Sequence, residues 1–152
     1  MSRQDAAPGA SAAIGAALYG LATRAVRRLP RDMSLTSAAT LATLDRTGPR
    51  RITDLAAAEG VTQPAMTVLV RVMEESGLVE RRGDASDKRV TLVCLTEAGA
   101  SYVRTRRQAG VQAFERLIGK LSGDEIDALV AALPALRHLA ELEGQDREGP
   151  KQ

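Results

Sequence analysis

Residues 59–76 read EGVTQPAMTVLVRVMEES, and residues 77–96 continue as GLVERRGDASDKRVTLVCLT. The first segment places a glycine-containing turn at 59–62 before apolar residues at helical spacing, which predicts a tight turn between two helices. The second segment has two β-rich runs, 78–82 and 89–95, on either side of a polar turn, which predicts a hairpin. A short helix, a tight turn, a second helix and a hairpin, in this order, predict a winged helix-turn-helix.

Helices are predicted on both sides of the segment 59–96. An apolar stripe at i, i+4, i+7 spacing predicts a helix over 11–29, which Pro30 ends. Shorter helices are predicted over 37–46 and 54–59, and longer ones over 97–120 and from 123 to about 143. The predicted N-caps are Thr36, Thr53, Thr62, Thr96 and Ser122, the last in a capping box with Glu125. The chain is therefore predicted to be mainly α with a small β wing.

Composition excludes several classes of protein. Hydrophobic residues make up 44% of the chain and charged residues 26%, which is typical of a folded, water-soluble domain. The apolar segment 12–22 is too short for a membrane span and is interpreted as an amphipathic helix rather than a signal peptide. With one cysteine and one histidine, the sequence offers no disulfide, zinc cluster or catalytic triad. We therefore expect no catalytic residues, metal or cofactor, and a reducing cytoplasm.

Basic residues are concentrated in the first two thirds of the chain. Residues 1–31 carry five arginines against one aspartate, and residues 50–107 carry ten basic against eight acidic side chains. Residues 108–152 carry five basic against eight acidic side chains. This asymmetry favours a protein that presents one side to phosphate groups.

Side chains suited to DNA contact lie at two places in the segment 59–96. A DNA-recognition helix needs small or polar residues near its N-terminus, where base edges and phosphates are reached. The hairpin carries basic residues that can enter a minor groove. The predicted DNA contacts of the helix are Thr62, Gln63, Pro64, Ala65 and Thr67, with Val68 and Arg71 further along, and those of the wing are Arg81, Lys88 and Arg89.

Other interpretations of the same residues stay open. The two helices could form an ordinary helical hairpin, and the polar turn could be a solvated charged loop. A winged-helix module that binds proteins instead of DNA is a second hypothesis, and an enzyme is a third, for which no cofactor motif was found. Cys94 is interpreted as a small hydrophobic residue of the second strand, with a redox sensor as the alternative.

Residues 35–99 resemble the MarR family (multiple antibiotic resistance regulator) of bacterial transcriptional regulators. The resemblance is carried by ITDLA at 52–56, VTQPAMT at 61–67, ESGLV at 75–79 and, most specifically, DASDKRVTLVCLTEAG at 84–99. The resemblance implies a homodimeric double-stranded DNA-binding regulator, most often a repressor, acting on a pseudo-palindromic operator in the bacterial cytoplasm, at the nucleoid when bound. It also implies that Arg89 enters the minor groove and that Asp87 positions it.

The resemblance further implies an organisation and two more sets of residues. The regions are a disordered N-terminus (1–10), an N-terminal dimerisation helix (11–31), the winged helix-turn-helix (34–96), C-terminal dimerisation helices (97–143) and a flexible tail (144–152). The predicted dimer interface is Ile14, Leu18, Leu21, Phe114, Leu117, Ile126, Leu129, Leu133 and Leu136. A small-molecule effector would contact Leu18, Tyr19, Leu21, Ala22, Leu41, Leu44 and Met73.

The sequence departs from the family pattern in the recognition helix. Many members have a basic residue where Val68 or Val72 stands, whereas Arg71 is the only basic residue of this helix. The departure shifts the expected electrostatic contacts toward the wing and toward Arg50 and Arg51.

Overall fold

A computed structural model describes residues 9–28, 32–87 and 89–148, although the side chains of residues 28 and 145–148 are not placed. Six helices and one two-stranded antiparallel sheet make up this part of the chain, so the predicted mainly helical fold with a small β wing is confirmed. The elements are α1 (Ala10–Arg28), α2 (Leu35–Thr47), α3 (Ile52–Ala58), α4 (Gln63–Glu75), β1 (Val79–Gly83), β2 (Thr91–Leu95), α5 (Glu97–Ile118) and α6 (Gly123–Glu148).

The chain divides into two compact units, residues 1–33 and residues 34–152. The first unit consists of α1, on which Ile14, Tyr19 and Leu21 are exposed and Leu18 is half-buried. The predicted disordered segment 1–10 lies outside the described residues except for its last two, of which Ala10 begins the helix.

The second unit contains the hydrophobic core of the winged domain. Its fully or almost fully buried side chains come from α2, α3, α4 and both strands, so each element contributes its apolar face to one core. A buried hydroxyl, that of Thr40, is satisfied by the Thr36 carbonyl at 2.8 Å. The largest buried side chains are Leu41, Leu55, Met66, Met73, Val70, Val79 and Val93.

The turn between α3 and α4 has the predicted helix-turn-helix geometry. Gly60 takes a positive φ of 65°, which a residue without a Cβ adopts at little cost, and Val61 N–H donates to the Ala56 carbonyl. Thr62 caps α4 by accepting from Ala65 N–H at 3.4 Å, and Pro64 lies in the first turn, where no backbone donor is required. The predicted start of α4 is therefore confirmed.

Two predicted helix starts are wrong. Ser34, not Thr36, caps α2, since its hydroxyl oxygen accepts from Ser37 N–H at 3.0 Å. Thr53 lies inside α3, which begins after Arg51 with no side-chain cap. Arg50, just before the N-cap residue Arg51, forms a β-bridge with Val93, which fixes the chain close to the start of the helix.

The strand bounds differ from the prediction, because β1 keeps five residues but lies one residue later and β2 is two residues shorter. β1 and β2 pair from Val79 with Leu95 to Gly83 with Thr91. Leu78, the predicted first strand residue, instead donates its N–H to the Met73 carbonyl at the end of α4. At the other end, Asp84 N–H donates to the Val90 carbonyl, so both residues belong to the turn rather than to the strands.

The two C-terminal helices keep their predicted starts. Thr96 caps α5, and Ser122 and Glu125 form the predicted capping box of α6. Hydrogen bonds from the Ser122 amide and hydroxyl hold the pKa of Glu125 below its ordinary value. α6 continues to Glu148, beyond the predicted end at 143. None of the described helices is long and apolar enough to cross a membrane.

Candidate DNA-binding surface

The helix α4 separates a buried face from an exposed one. Met66, Val70 and Met73 are buried in the winged domain. The side chains predicted to contact DNA lie on the exposed part of the helix and at its cap: Thr62, Gln63, Pro64, Ala65, Thr67, Val68 and Arg71. The helix therefore has a free outer face that begins at its positively polarised N-terminus.

Two arginines predicted to contact DNA are held by carboxylates of α4. Arg71 Nε lies 3.5 Å from a carboxylate oxygen of Glu75, one turn further along the same helix. Arg81 Nε, on β1, lies 3.5 Å from a carboxylate oxygen of Glu74. Exposed ion pairs of this kind stabilise a fold by at most about 1 kcal/mol, so a phosphate group can compete for either guanidinium. The Arg81–Glu74 pair also joins the wing to α4.

The turn of the wing is organised by Asp84. One oxygen of its carboxylate accepts from Ser86 N–H at 2.7 Å, from the Ser86 hydroxyl at 2.5 Å and from Asp87 N–H at 3.2 Å. These bonds, first that of the Ser86 hydroxyl, hold the pKa of Asp84 below its ordinary value. The positive charge of Arg51 acts in the same direction as the smallest contribution.

Asp87 and Arg89 lie together in the turn of the wing. Asp87 accepts from the backbone N–H of Arg89 at 3.0 Å, and the Arg89 side chain is exposed. Asp87 thus fixes the backbone at the residue whose guanidinium is proposed to contact DNA. Lys88, also predicted as a DNA contact, lies outside the described residues.

Arg51 lies at the N-cap of α3, where its side chain is exposed. The positive charge of Arg51 helps to lower the pKa of Asp84, so it acts on the turn of the wing. The adjacent Arg50 exchanges two backbone hydrogen bonds with Val93 of β2. Arg50 N–H donates to the Val93 carbonyl, with 3.1 Å from N to O, and Val93 N–H donates to the Arg50 carbonyl, with 2.8 Å from N to O. The chain before α3 is therefore fixed to the wing.

Sequence reasoning missed the roles of Asp84 and Glu74. An aspartate followed two residues later by a serine is typical of a turn in which the carboxylate accepts backbone N–H groups, so Asp84 had a local signal. Glu74 had none, because its partner Arg81 is brought to it only by the hairpin.

The residues predicted to contact an effector are divided between the two units. Leu41, Leu44 and Met73 are buried in the core of the winged domain, at most 2% exposed. Leu18, Tyr19, Leu21 and Ala22 lie on α1. Within the described part of the chain, no group of three or more His, Cys, Asp or Glu side chains is placed to hold a metal ion.

Sequence comparison decides the family. The model of the MarR family matches residues 33–91 of this chain. An HTH-type transcriptional regulator of Mycobacterium bovis, Mb0904, is 31% identical over 117 residues, which cover 71% of this chain and 82% of the relative. The chain belongs to the MarR family. The family predicted from the sequence is thus confirmed, and it is one of DNA-binding transcriptional regulators.

Solved structures of transcriptional regulators share the fold of this MarR-family protein. Tm0710 of Thermotoga maritima has a TM-score of 0.74 at 20% identity and covers 86% of this chain and 95% of its own. MepR, a regulator of the Staphylococcus aureus multidrug efflux pump MepA, has a TM-score of 0.67 at 24% identity and covers 88% and 98%. MepR is also known bound to ethidium bromide and, as a mutant, to an oligodeoxyribonucleotide.

Proposed function

We propose that this MarR-family protein is a homodimeric repressor that binds a pseudo-palindromic operator and is released by a small-molecule effector. In this proposal, the outer face of α4 enters the major groove and the wing turn contacts the neighbouring minor groove. The protein acts in the bacterial cytoplasm, at the nucleoid when bound to DNA.

The observation that carries DNA binding is the pairing of an exposed α4 with an organised wing. The N-terminus of α4 offers backbone N–H groups and the exposed amide of Gln63, which suit a phosphate and a base edge respectively. The wing adds the exposed Arg89 on a turn fixed by Asp84 and Asp87. Both elements belong to one unit and are joined by the Arg81–Glu74 ion pair. MepR, which shares this fold, has been solved with an oligodeoxyribonucleotide.

The support for a homodimer is apolar surface on α5 and α6. Most large apolar side chains in the second half of α5 and along α6 are between 36% and 57% exposed. Exposure of so many large apolar side chains is unusual for a monomeric protein and favours an association surface. We assign a second copy of this chain as its partner, as in the family. Five of the predicted interface residues belong to this exposed set: Phe114, Leu117, Leu129, Leu133 and Leu136. Ile126, also predicted, is half-buried. The predicted interface residues of α1 are the exposed Ile14 and Leu21 and the half-buried Leu18.

Release by an effector is supported by MepR, which has been solved with ethidium bromide. The dimer can bind its operator only when its two α4 helices have the spacing of the two half-sites. An aromatic ligand that binds better to dimers with another spacing would increase their population and so lower operator affinity. We expect a screen of planar aromatic cations and phenols against the operator complex to find a compound that weakens binding, and a screen in which none does so would count against this part of the proposal.

The test of DNA binding uses genomic fragments that flank the protein's own gene, with excess competitor DNA and a salt series. We expect one protected site with two inverted half-sites separated by about one helical turn, roughly 34–36 Å. Because phosphate contacts release counterions, the affinity should fall steeply between 50 and 200 mM salt, by about 10³ or more for at least six contacts. Binding without sequence preference, or without salt dependence, would refute the proposal and favour a protein-binding module.

A further inference from the structure

Two valines stand exposed on the outer face of α4. Val68 is 57% exposed and Val72 49% exposed, although the same helix buries Met66, Val70 and Met73 in the core. At i and i+4 the two valines are neighbours on one face of the helix. They form a small apolar stripe in a position where the folded domain offers them no partner.

These two valines contribute little to the stability of the fold. A β-branched residue at an exposed helical position is less favourable than alanine by several tenths of a kcal/mol, because its side chain loses rotamer freedom in the helix. The exposure of both side chains shows that they add little to the core. Their apolar surface is therefore available for a partner of the helix.

The position of Val68 in the helix points to bases rather than to the phosphate backbone. Val68 follows Pro64 by one turn, so it lies near the N-terminal part of the helix, where recognition helices contact base edges. The charged neighbour Arg71 is held by Glu75 on the C-terminal side. A valine side chain can neither donate to a base nor neutralise a phosphate, so its contact in a groove must be apolar.

The major groove presents one apolar group, the C5 methyl of thymine. We infer that the stripe formed by Val68 and Val72 recognises thymine methyl groups in each operator half-site. This inference rests on the proposed function and adds a sequence preference to it. The operator should have thymines at the base pairs that face the stripe. Val68 contacts the thymine nearer the N-terminus of α4, and Val72 contacts one that lies a helical turn further along α4. Cytosine in place of such a thymine removes the methyl, which weakens binding to the corresponding G·C site.

The test removes the methyl groups one at a time from the operator found by footprinting. Each thymine of a half-site is replaced with deoxyuridine, which lacks the C5 methyl but keeps the hydrogen-bonding edge. We expect one or two thymines at which affinity falls about fourfold when one half-site is changed and about fifteenfold when both are changed, from the burial of a methyl group. Thymines outside the protected region should show no change.

The protein variants connect that effect to the valine. With Val68→Ala, the ratio of affinities for the thymine and deoxyuridine operators should shrink to less than twofold at one position and stay unchanged at the others. Alanine is a better helix former than valine and the site is exposed, so the variant should fold as the wild type does. Leu35→Ala is the control, since Leu35 is also 57% exposed but lies at the start of α2, outside the residues assigned to DNA or to the dimer. It should keep the full deoxyuridine effect.

The outcomes separate this inference from the proposed function. If the wild type protects a defined site but no deoxyuridine changes affinity by more than twofold, the inference is overturned while the regulator remains. If deoxyuridine weakens binding equally in the wild type and in Val68→Ala and Val72→Ala, thymine is recognised by other residues and the inference is again overturned. If the wild type protects no site, the proposed function and the inference fail together.

Discussion

The base of the wing depends on a glycine that nothing local in the sequence marks as essential. Gly99 lies in the first turn of α5, and a Cβ placed there would come 2.0 Å from the Leu78 carbonyl oxygen and 2.8 Å from Cδ2 of Leu95. The leucine methyl can rotate away, but the carbonyl belongs to the backbone. Leu78 is held in place because its oxygen accepts from Thr96 N–H at 3.1 Å, while the neighbouring Gly77 oxygen accepts from the Thr96 hydroxyl at 2.6 Å.

We expect Gly99→Ala to destabilise the protein by about 2 kcal/mol. Relief of the contact with Leu78 requires a backbone shift of about 1 Å, and overpacking of this kind costs roughly 1–3 kcal/mol. Weakening the hydrogen bond from Thr96 adds about 1 kcal/mol. The better helix propensity of alanine offsets about 1 kcal/mol of this loss. The steric cost therefore outweighs the gain, and the sign of the effect is opposite to that of an ordinary glycine-to-alanine change in a helix.

Gly110→Ala provides the matched control on the same helix. A Cβ at Gly110 meets nothing within 4 Å, so the propensity gain of about 0.5–1 kcal/mol should appear undiminished as a stabilisation. Both variants are unfolded in urea at one fixed protein concentration, because a dimer's stability depends on concentration. A Gly99→Ala midpoint equal to or above that of the wild type would refute the steric argument. Equal shifts in both variants would show that helix propensity alone decides the effect.

Three further perturbations examine the wing and the interface. Arg89→Ala should lower operator affinity by about 1–3 kcal/mol, measured by fluorescence anisotropy, while Arg137→Ala on α6 changes it little; equal losses would contradict the wing contact. Leu133→Glu should convert the proposed dimer to a monomer in light scattering, since an unpaired charge would be buried in the proposed interface, and an unchanged mass would show that α6 is not part of it. The pKa of Asp84 is lowered in the folded state, so its contribution to the wing is present above its unfolded value of 3.8 and is lost as pH falls through the lower folded value. The Ser86 amide resonance should therefore titrate below pH 3.8, and a midpoint at or above 3.8 would contradict these hydrogen bonds.

The sequence by itself determined the features that depend on residues close together in the chain. The caps formed by Thr62, Thr96 and Ser122 each join a side chain to an N–H three residues later, so the pattern of residue types is sufficient to predict them. The glycine turn before α4 is local in the same sense. The polar turn between two β-rich runs likewise predicted the wing without knowledge of anything outside it.

Where several residues compete for one local role, the sequence was not decisive. Ser34 and Thr36 are both good caps, and only the folded chain shows that Ser34 accepts the N–H while Thr36 lies within α2. The bridge close to the start of α3, between Arg50 and Val93, joins residues more than forty positions apart. No short window of sequence contains that information.

Only the tertiary structure decided which side chains remain on the surface that is proposed to bind DNA. Valine is found in cores more often than on surfaces, and the exposure of Val68 and Val72 follows from the way α4 packs its opposite face against α3 and the wing. The pairing of Arg81 with Glu74 and the contact of Gly99 with Leu78 arise in the same way, because the hairpin and α5 bring distant residues together. Local hydrogen bonding and periodicity are encoded along the chain, whereas exposure, ion pairing and steric fit depend on which elements meet.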